Sequence, residues 1–331
     1  MLMNNFCTLF DSYYIHKGIA TYLSLERVSK DFHLYVMAFD KDCYEKLQSL
    51  SFEHMTVELV DDFETPDLLA VKPTRNKAEY CWTCSSAICW HFLNKYNLPS
   101  ITYIDSDLFF LSDPKVVFDE LRDKSIAVTE HNNVDSSMSG RFCVQFNYFR
   151  NDEEGRAALK WWRDSCVEWC FDRYEDGKYG DQRYVDQFPS RYKSLCIVEN
   201  RGAGIGPWNM NRYQYTDHSL IFNGREDEFV FFHMHGIKSE FNGEQLVLRC
   251  VDCRLNDDTQ RLFFEPYAEL LLEVYNKYLG KNLKSYKIVR KSKRAILISK
   301  IKYRFRTNPI AKWLYKDVLK VKYNGNEQKQ I

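Results

Sequence analysis

Short runs of β-branched and aromatic residues alternate with longer stretches of helical spacing through the first hundred residues, and that order constrains the fold more than any other feature. Phe6–Phe10, His33–Phe39 and Met55–Val60 read as strands, while Ile15–Val28 and Lys41–Leu50 read as helices. Asp62–Pro73 is polar and reads as a loop. Glu79–Leu93 returns to helical spacing, with Cys81, Trp82, Ser85, Cys89 and Phe92 close to one face, and a strand at Ser100–Ile104 follows. Alternating strand and helix predicts an α/β chain with a mainly parallel sheet, whose ligand sits at the carboxyl ends of the strands.

The last of these strands ends in charge. Tyr103-Ile-Asp-Ser-Asp-Leu-Phe-Phe-Leu111 carries Asp105 and Asp107 one residue apart at its turn. Side chains two apart on extended backbone point the same way, so both carboxylates can face one hard divalent cation, which keeps other positions for phosphate oxygens and water. A solvated turn is the plain alternative for two acids after a strand.

Beyond Pro114 the chain predicts a helix to Leu121, a strand Ser125–Thr129, a polar loop His131–Gly140 and a strand Phe142–Phe149. Asp152–Tyr174 reads as one long helix whose Trp161, Trp162, Cys166, Trp169 and Cys170 form an apolar, core-facing stripe. Another helix starts near Gly180, placing Asp181 and Gln182 in its first turn. Asn200–Asn209 is glycine-rich and reads as flexible; its spacing fits neither a phosphate-binding loop with its lysine nor the dinucleotide fingerprint. Phe229–Phe232 is a buried strand that delivers His233-Met-His-Gly-Ile-Lys238 at its end.

With 331 residues, 45% of them apolar and 16% aromatic, the chain can bury a large core, which excludes a disordered class. It has no apolar run of membrane-spanning length, and its N-terminus has neither a basic n-region nor a long apolar h-region, so a cytoplasmic protein is expected. Eleven cysteines in that setting predict reduced thiols. Cys81/Cys84 and Cys250/Cys253 have zinc-ligand spacing, but the pairs lie far apart and the first falls within a helical pattern; buried thiols are the preferred reading.

The net charge of zero conceals an asymmetry. Lys281 to Lys322 holds fifteen Lys and Arg against one acid, Asp317. The chain therefore divides into residues 1–280 and a basic helical tail, 281–331. Within the tail, Asn308 and Pro309 can start a helix in which Ile310, Trp313, Leu314, Val318 and Val321 share a face. Such a tail suggests docking on an anionic membrane surface at the inner face of the cell membrane, with nucleic acid the less favoured partner and a solvated appendage the plain one.

YIDSDLFF, GDQ, GPWN and FFHMHGIK, in that order, resemble the GT-A nucleotide-diphospho-sugar glycosyltransferases, and among them bacterial relatives of the glycogenin-type retaining group. The resemblance spans about Phe6 to Lys238. It implies a GT-A, Rossmann-like fold, a UDP-sugar or similar donor, a glycan or lipid-linked glycan acceptor as in capsule or lipopolysaccharide assembly, and Mn²⁺ or Mg²⁺ held by Asp105, Asp107 and His233. It further implies that Asp181 and Gln182 hold the donor sugar, that Tyr13 stacks on the base with Thr8 and Asp11 nearby, and that Ser106, Arg75 and Lys238 lie along the donor. Lys238 comes one residue early for the family's H-x-x-G-x-x-K, and Cys143-Val-Gln145 stands where the family has N-x-G, which leaves Gln145 as the candidate there.

The chemistry stands apart from the name. Breaking a sugar–phosphate bond leaves negative charge on a diphosphate, which a divalent ion and a lysine stabilise without a proton donor. Asp181 and Gln182 can face the positive charge developing on the sugar; if Asp181 instead deprotonates the acceptor, inversion results. Plainer roles exist for each residue: Asp181 on a helix dipole, His233 in the core, Tyr13 in packing, Arg75 as a surface charge. A haloacid-dehalogenase-like phosphatase also uses D-x-D after a strand, with Asp181 and Asp186 as later acids, but that motif has Thr or Val where Phe109 stands and opens its chain. A non-catalytic sugar-nucleotide or glycan-binding module is the other alternative.

Overall fold

The computed structural model describes residues 3–133, 138–251 and 253–290. The first elements follow the patterning: β1 (Asn4–Phe10), α1 (Ile15–Val28), β2 (Phe32–Ala38), α2 (Lys41–Leu50) and β3 (Met55–Leu59). α2 begins where Asp40 accepts a hydrogen bond from the Cys43 amide, and it stops at Ser51, which turns left-handed at φ 50°. The stretch expected as a loop contains a helix, α3 (Pro66–Val71), because Pro66 sits in a first turn, where its missing N–H has no partner to lose. α4 (Lys77–Lys95) starts with a reciprocal cap between Asn76 and Glu79.

β4 (Ser100–Ile104), β5 (Leu108–Phe110), α5 (Lys115–Leu121), β6 (Ile126–Glu130), β7 (Phe142–Arg150), α6 (Glu153–Glu168), α7 (Gln182–Val185), α8 (Phe188–Arg191) and β8 (Leu195–Ile197) follow. The main sheet has the order β3-β2-β1-β4-β7-β6-β8, with β7 antiparallel to both neighbours and the other pairs parallel. Strand order reverses between β1 and β4. A crevice opens at such a reversal, and the D-x-D lies at its β4 side.

Both faces of the sheet are covered. β1 sends Phe6 to one buried cluster, with Ile19, Tyr22 and Leu34, and Cys7 to the other, with Ile88, Phe92, Ile101 and Trp162. α6 ends six residues before the expected Tyr174. Trp169 is extended at φ −150°, it and Cys170 are buried, and the Tyr184 hydroxyl donates to the Trp169 carbonyl at 2.8 Å. The apolar stripe is core, as its spacing implies, but its last members leave the helix to get there.

β9 (Ala203–Ile205), the meander β10 (Gln214–Tyr215), β11 (Ser219–Phe222) and β12 (Arg225–Glu228), and β13 (Phe231–His233) come next. β13 lies between β5, antiparallel, and β9, parallel, in a small second sheet. The glycine-rich stretch expected to be flexible therefore holds a packed strand. A Cβ on Gly202 would stand 1.8 Å from the Glu228 carbonyl oxygen, so this glycine admits a close backbone rather than motion.

β14 (Ile237–Asn242), β15 (Gln245–Cys250), α9 (Asp257–Thr259), α10 (Glu265–Glu273) and β16 (Ser285–Val289) complete the described fold, with π-helical turns on either side of α10. β16 pairs parallel with β15 and α10 packs against β15, β16 and α1. The first residues of the basic tail, 281–290, thus contain a strand that joins the fold before Gly280, in a stretch where only charge is informative in the sequence. The amphipathic segment around Trp313 lies outside the described residues. Cys250 and Cys253 are disulfide-bonded, against the expectation of reduced thiols, with their Cα atoms 5.6 Å apart. Cys81 and Cys84 are free, Cys84 buried. No described helix is long and apolar enough to cross a membrane.

Candidate active site

The acidic turn is fixed through its backbone. The Asp105 amide donates to the Gln145 carbonyl at 3.1 Å, and the Met234 amide donates to the Asp107 carbonyl at 2.8 Å. The first bond holds the end of β4 against β7, and the second ties the turn to the end of β13, which brings His233 over both acids. Its Nε2 stands 2.9 Å from Asp107 Oδ1 and 3.5 Å from Asp105 Oδ2. Its Nδ1 faces Gln145 Oε1 at 2.9 Å, and since that oxygen only accepts, Nδ1 carries a hydrogen. Gln145 Nε2 donates onward to Thr129. Gln145 is wholly buried, and both ends of its amide are engaged by protein.

The charges of this cluster separate the two acids. Burial pushes the Asp105 carboxyl up to about 7, with repulsion from Asp107 adding and His233 opposing. Burial acts on Asp107 in the same direction, but Lys17, with Nζ 3.2 Å from Oδ2, and His233 outweigh it and hold Asp107 well below the usual carboxylate range. Burial disfavours the His233 cation, yet the adjoining Asp107 carboxylate raises it well above its ordinary value. Asp107 is ionised, and His233 is protonated against it.

Asp181 stands at the start of the four-residue α7, but its side chain makes no capping bond. It turns inward, 7% exposed, and accepts from the Ser85 hydroxyl at 2.7 Å, while its carbonyl accepts from the Trp162 indole at 2.9 Å. Burial raises this carboxyl to about 7 as well, and Asp105 adds to the rise. Asp105 and Asp181 thus feel one another's charge, and the Tyr103 hydroxyl donates to Asp105 at 3.1 Å. The Gln182 amide donates to the Ser139 carbonyl and ties α7 to the end of the loop before β7.

The other expected site residues are more dispersed. Thr8 is buried, and its hydroxyl has no hydrogen-bond partner among the described residues. Asp11 accepts from the Tyr14 amide and pairs with Lys77. Tyr13 is 75% exposed, with its ring tilted against that of Tyr14 at 5.6 Å. Ser106 sits in the turn, with its carbonyl accepting from Thr21. Arg75 does not reach the acids: its guanidinium lies 3.8 Å from the centre of the Phe171 ring and donates to Val167 and Glu168 carbonyls. Lys238 is exposed on β14 opposite Arg249. Asp186 caps the entry to β7, accepting from the Arg141 and Phe142 amides and pairing with Arg183, which leaves the phosphatase reading without a free second acid.

Several contributors were not singled out from sequence. Lys17 is one; its signal is a lone cation on the buried face of an apolar helix. Cys143 is another. Burial opposes its ionisation, but His131 and His233 beside it bring the thiol down to about 6. The GPWN stretch forms a wall: the Trp208 indole and the Asn209 amide both donate to the His131 carbonyl, and the Trp208 ring meets His233 edge-on at 5.3 Å.

Among the described residues no group of three or more His, Cys, Asp or Glu side chains is arranged to hold a metal ion as it stands. The triad is closed by its own hydrogen bonds, yet it suits a hard divalent ion. Neighbouring ligands on an octahedral ion with bonds of about 2.1 Å lie about 3 Å apart, close to the separations here. The hydrogen on Nδ1 leaves Nε2 as the ligating nitrogen once its proton departs.

No sequence model of a known family matches the chain. Two Bacillus subtilis proteins are similar to it. The uncharacterized protein YfnD is 33% identical over 276 residues, which cover 80% of this chain and 87% of YfnD. The uncharacterized protein YfnF is 29% identical over 247 residues, 70% of this chain and 81% of YfnF. Among solved structures, the galactosyltransferase LgtC in complex with donor and acceptor sugar analogues superimposes with a TM-score of 0.50 at 11% identity, over 81% of this chain and 95% of LgtC. An active-site mutant of LgtC gives 0.51 at 12% identity, over 80% and 94%. The fold is GT-A, a mixed and mainly parallel central sheet flanked by helices.

Proposed function

The chain belongs to the same family as Bacillus subtilis YfnD, and from its fold and its strand-end acids we propose that it transfers a sugar from a nucleoside-diphosphate sugar to a glycan or lipid-linked acceptor. The observation that carries this reading is the convergence of Asp105, Asp107 and His233 where strand order reverses. Asp105, Asp107 and His233 would hold Mn²⁺ or Mg²⁺. Bound there, the ion supplies positive charge for the diphosphate as it departs.

The protein's own groups do the rest. Gln145 orients the His233 ring, and Asp107, ionised throughout the neutral range, anchors it. Tyr13 offers an exposed face to a base, with UDP the favoured carrier. Asp181 and Gln182 border the same crevice as Asp105, where a carboxyl and an amide dipole can face positive charge on the sugar. A retaining outcome follows the family resemblance; Asp181, with its pKa near neutrality, also suits a base for an acceptor hydroxyl, and the anomeric configuration of the product by NMR separates the two. Synthesis of a surface polysaccharide is the setting that fits a lipid-linked acceptor.

The test is calorimetric binding of a panel of nucleotide sugars with Mn²⁺ and with chelator, in the native protein and in Asp107→Ala. We expect donor binding only with Mn²⁺ and only in the native protein. Equal binding by the variant, or full binding in chelator, removes the assignment.

A further inference from the structure

α1 meets the acidic turn along a single polar seam. Lys17, Thr21 and Ser24 are spaced by four and three residues and so share one face of the helix. Lys17 Nζ reaches Asp107 Oδ2 at 3.2 Å. The Thr21 hydroxyl reaches the carbonyls of Ser106 and Leu108 at 2.9 and 2.8 Å, and the Ser24 hydroxyl accepts from the Phe110 amide at 3.1 Å. Three consecutive contacts fix the register of the turn against the helix. Thr21 and Ser24 satisfy backbone groups, a packing task, whereas Lys17 brings a full charge into a site that the metal reading already supplies with cations.

Lys17 is 7% exposed and lies over the Tyr14 ring at 4.7 Å, so water screens it little. An ammonium that only steadied a carboxylate would be a poor choice beside a divalent-ion site, since it repels the ion that the carboxylate should attract. With a diphosphate present the balance changes. Two carboxylates and a divalent ion sum to zero, and a multiply charged diphosphate then needs a further fixed cation.

We propose that Lys17 is a positioning residue and built-in counter-ion of Asp107 that keeps the divalent ion from settling without a diphosphate and favours the two together. It occupies Oδ2, leaves Oδ1 toward His233, and couples metal to donor. The inference rests on the metal-dependent reading above, and it goes beyond that reading by assigning the coupling to a residue outside the D-x-D and the His233 loop.

The experiment titrates Mn²⁺ alone by electron paramagnetic resonance, then inorganic pyrophosphate at saturating Mn²⁺, in the native protein and in Lys17→Gln, Lys17→Met and Lys17→Arg, each checked for native melting. Gln keeps a donor without the charge, Met removes both, and Arg keeps both. Loss of the charge should tighten Mn²⁺ alone roughly ten-fold or more in Gln and Met alike, as expected for like charges this close in a weakly screened site. It should also weaken pyrophosphate by a similar factor, while Arg stays near native. The proposal is overturned if Gln behaves as native, if Met and Gln bind Mn²⁺ no more tightly than native, or if no folded variant differs. Absence of Mn²⁺ binding in native protein and variants, even with pyrophosphate, removes the metal reading itself; native Mn²⁺ binding that is unchanged in Gln and Met removes only the role of Lys17.

Discussion

Replacing Asp181 by Asn should stabilise the metal-free protein, and more so as pH rises. The carboxyl is buried, and its pKa is raised from 3.8 to about 7. An acid whose folded-state pKa lies above its unfolded value binds its proton more tightly in the folded state. Below about pH 4 both states are protonated and the group contributes no difference. Between about 4 and 7 the unfolded state ionises first, so stability falls with rising pH, and above 7 the loss is complete. Three pKa units at about 1.4 kcal/mol each give a loss of about 4 kcal/mol, a large part of the roughly 5 to 15 kcal/mol that a folded chain possesses. Asn has nearly the same shape, its amide oxygen can still accept from Ser85, and it does not ionise. Scanning calorimetry in chelator from pH 4.5 to 8.5 should show the two proteins melting nearly together at the acid end and the variant melting higher, by about 7 °C, at the alkaline end. On the role proposed for Asp181 the variant should also be inactive throughout. A difference in melting temperature that stays flat with pH would refute the argument. A variant less stable at pH 8 would restore the plainer role of Asp181 as a carboxylate on a helix dipole.

Two further outcomes follow from the same geometry. His233→Ala should raise the Mn²⁺ needed for half-maximal transfer and flatten its pH dependence, whereas His235→Ala, at an exposed ring beside Trp208, should change metal demand little; titrating Mn²⁺ at two pH values in both variants checks this. Gly202→Ala should cost about 3 kcal/mol or more, read from a urea midpoint, because its Cβ would collide with the Glu228 carbonyl.

What was legible in the sequence was whatever periodicity encodes. α1 and α2 fall on their expected residues, since an amphipathic helix covering a sheet has to repeat its apolar positions. The strands of the first half lie within a residue or two of expectation. The D-x-D acids were read from their strand end and His233 from the family resemblance, and the fold brings the three together. Misses fall where one residue type serves two purposes. Glycine reads as flexibility, but at Gly202 it makes room for backbone. Trp169 and Cys170 fit a helical stripe, but they reach the core from an extended segment. β16 was hidden by charge, because Lys284 and Lys287 dominate a segment whose Tyr286 and Ile288 pack toward the core. Lys17 was hidden by its surroundings: a single lysine in a helix reads as solvent-facing until the helix is docked on the turn.

The insertion of β13 between β5 and β9 has a consequence for how the protein must be made. Both flanking strands precede it in the chain, so until residue 233 has been synthesised they face an empty slot with unpaired backbone edges. The contacts that define the crevice also span long stretches of sequence: 90 residues separate Lys17 from Asp107, 96 separate Ser85 from Asp181, and 88 separate Gln145 from His233. Such contacts form late in folding, because each must first close a long loop. The crevice is accordingly complete only after β13 has joined, and a nascent chain halted before β13 would carry both an adhesive edge and a cluster of acids still lacking its histidine.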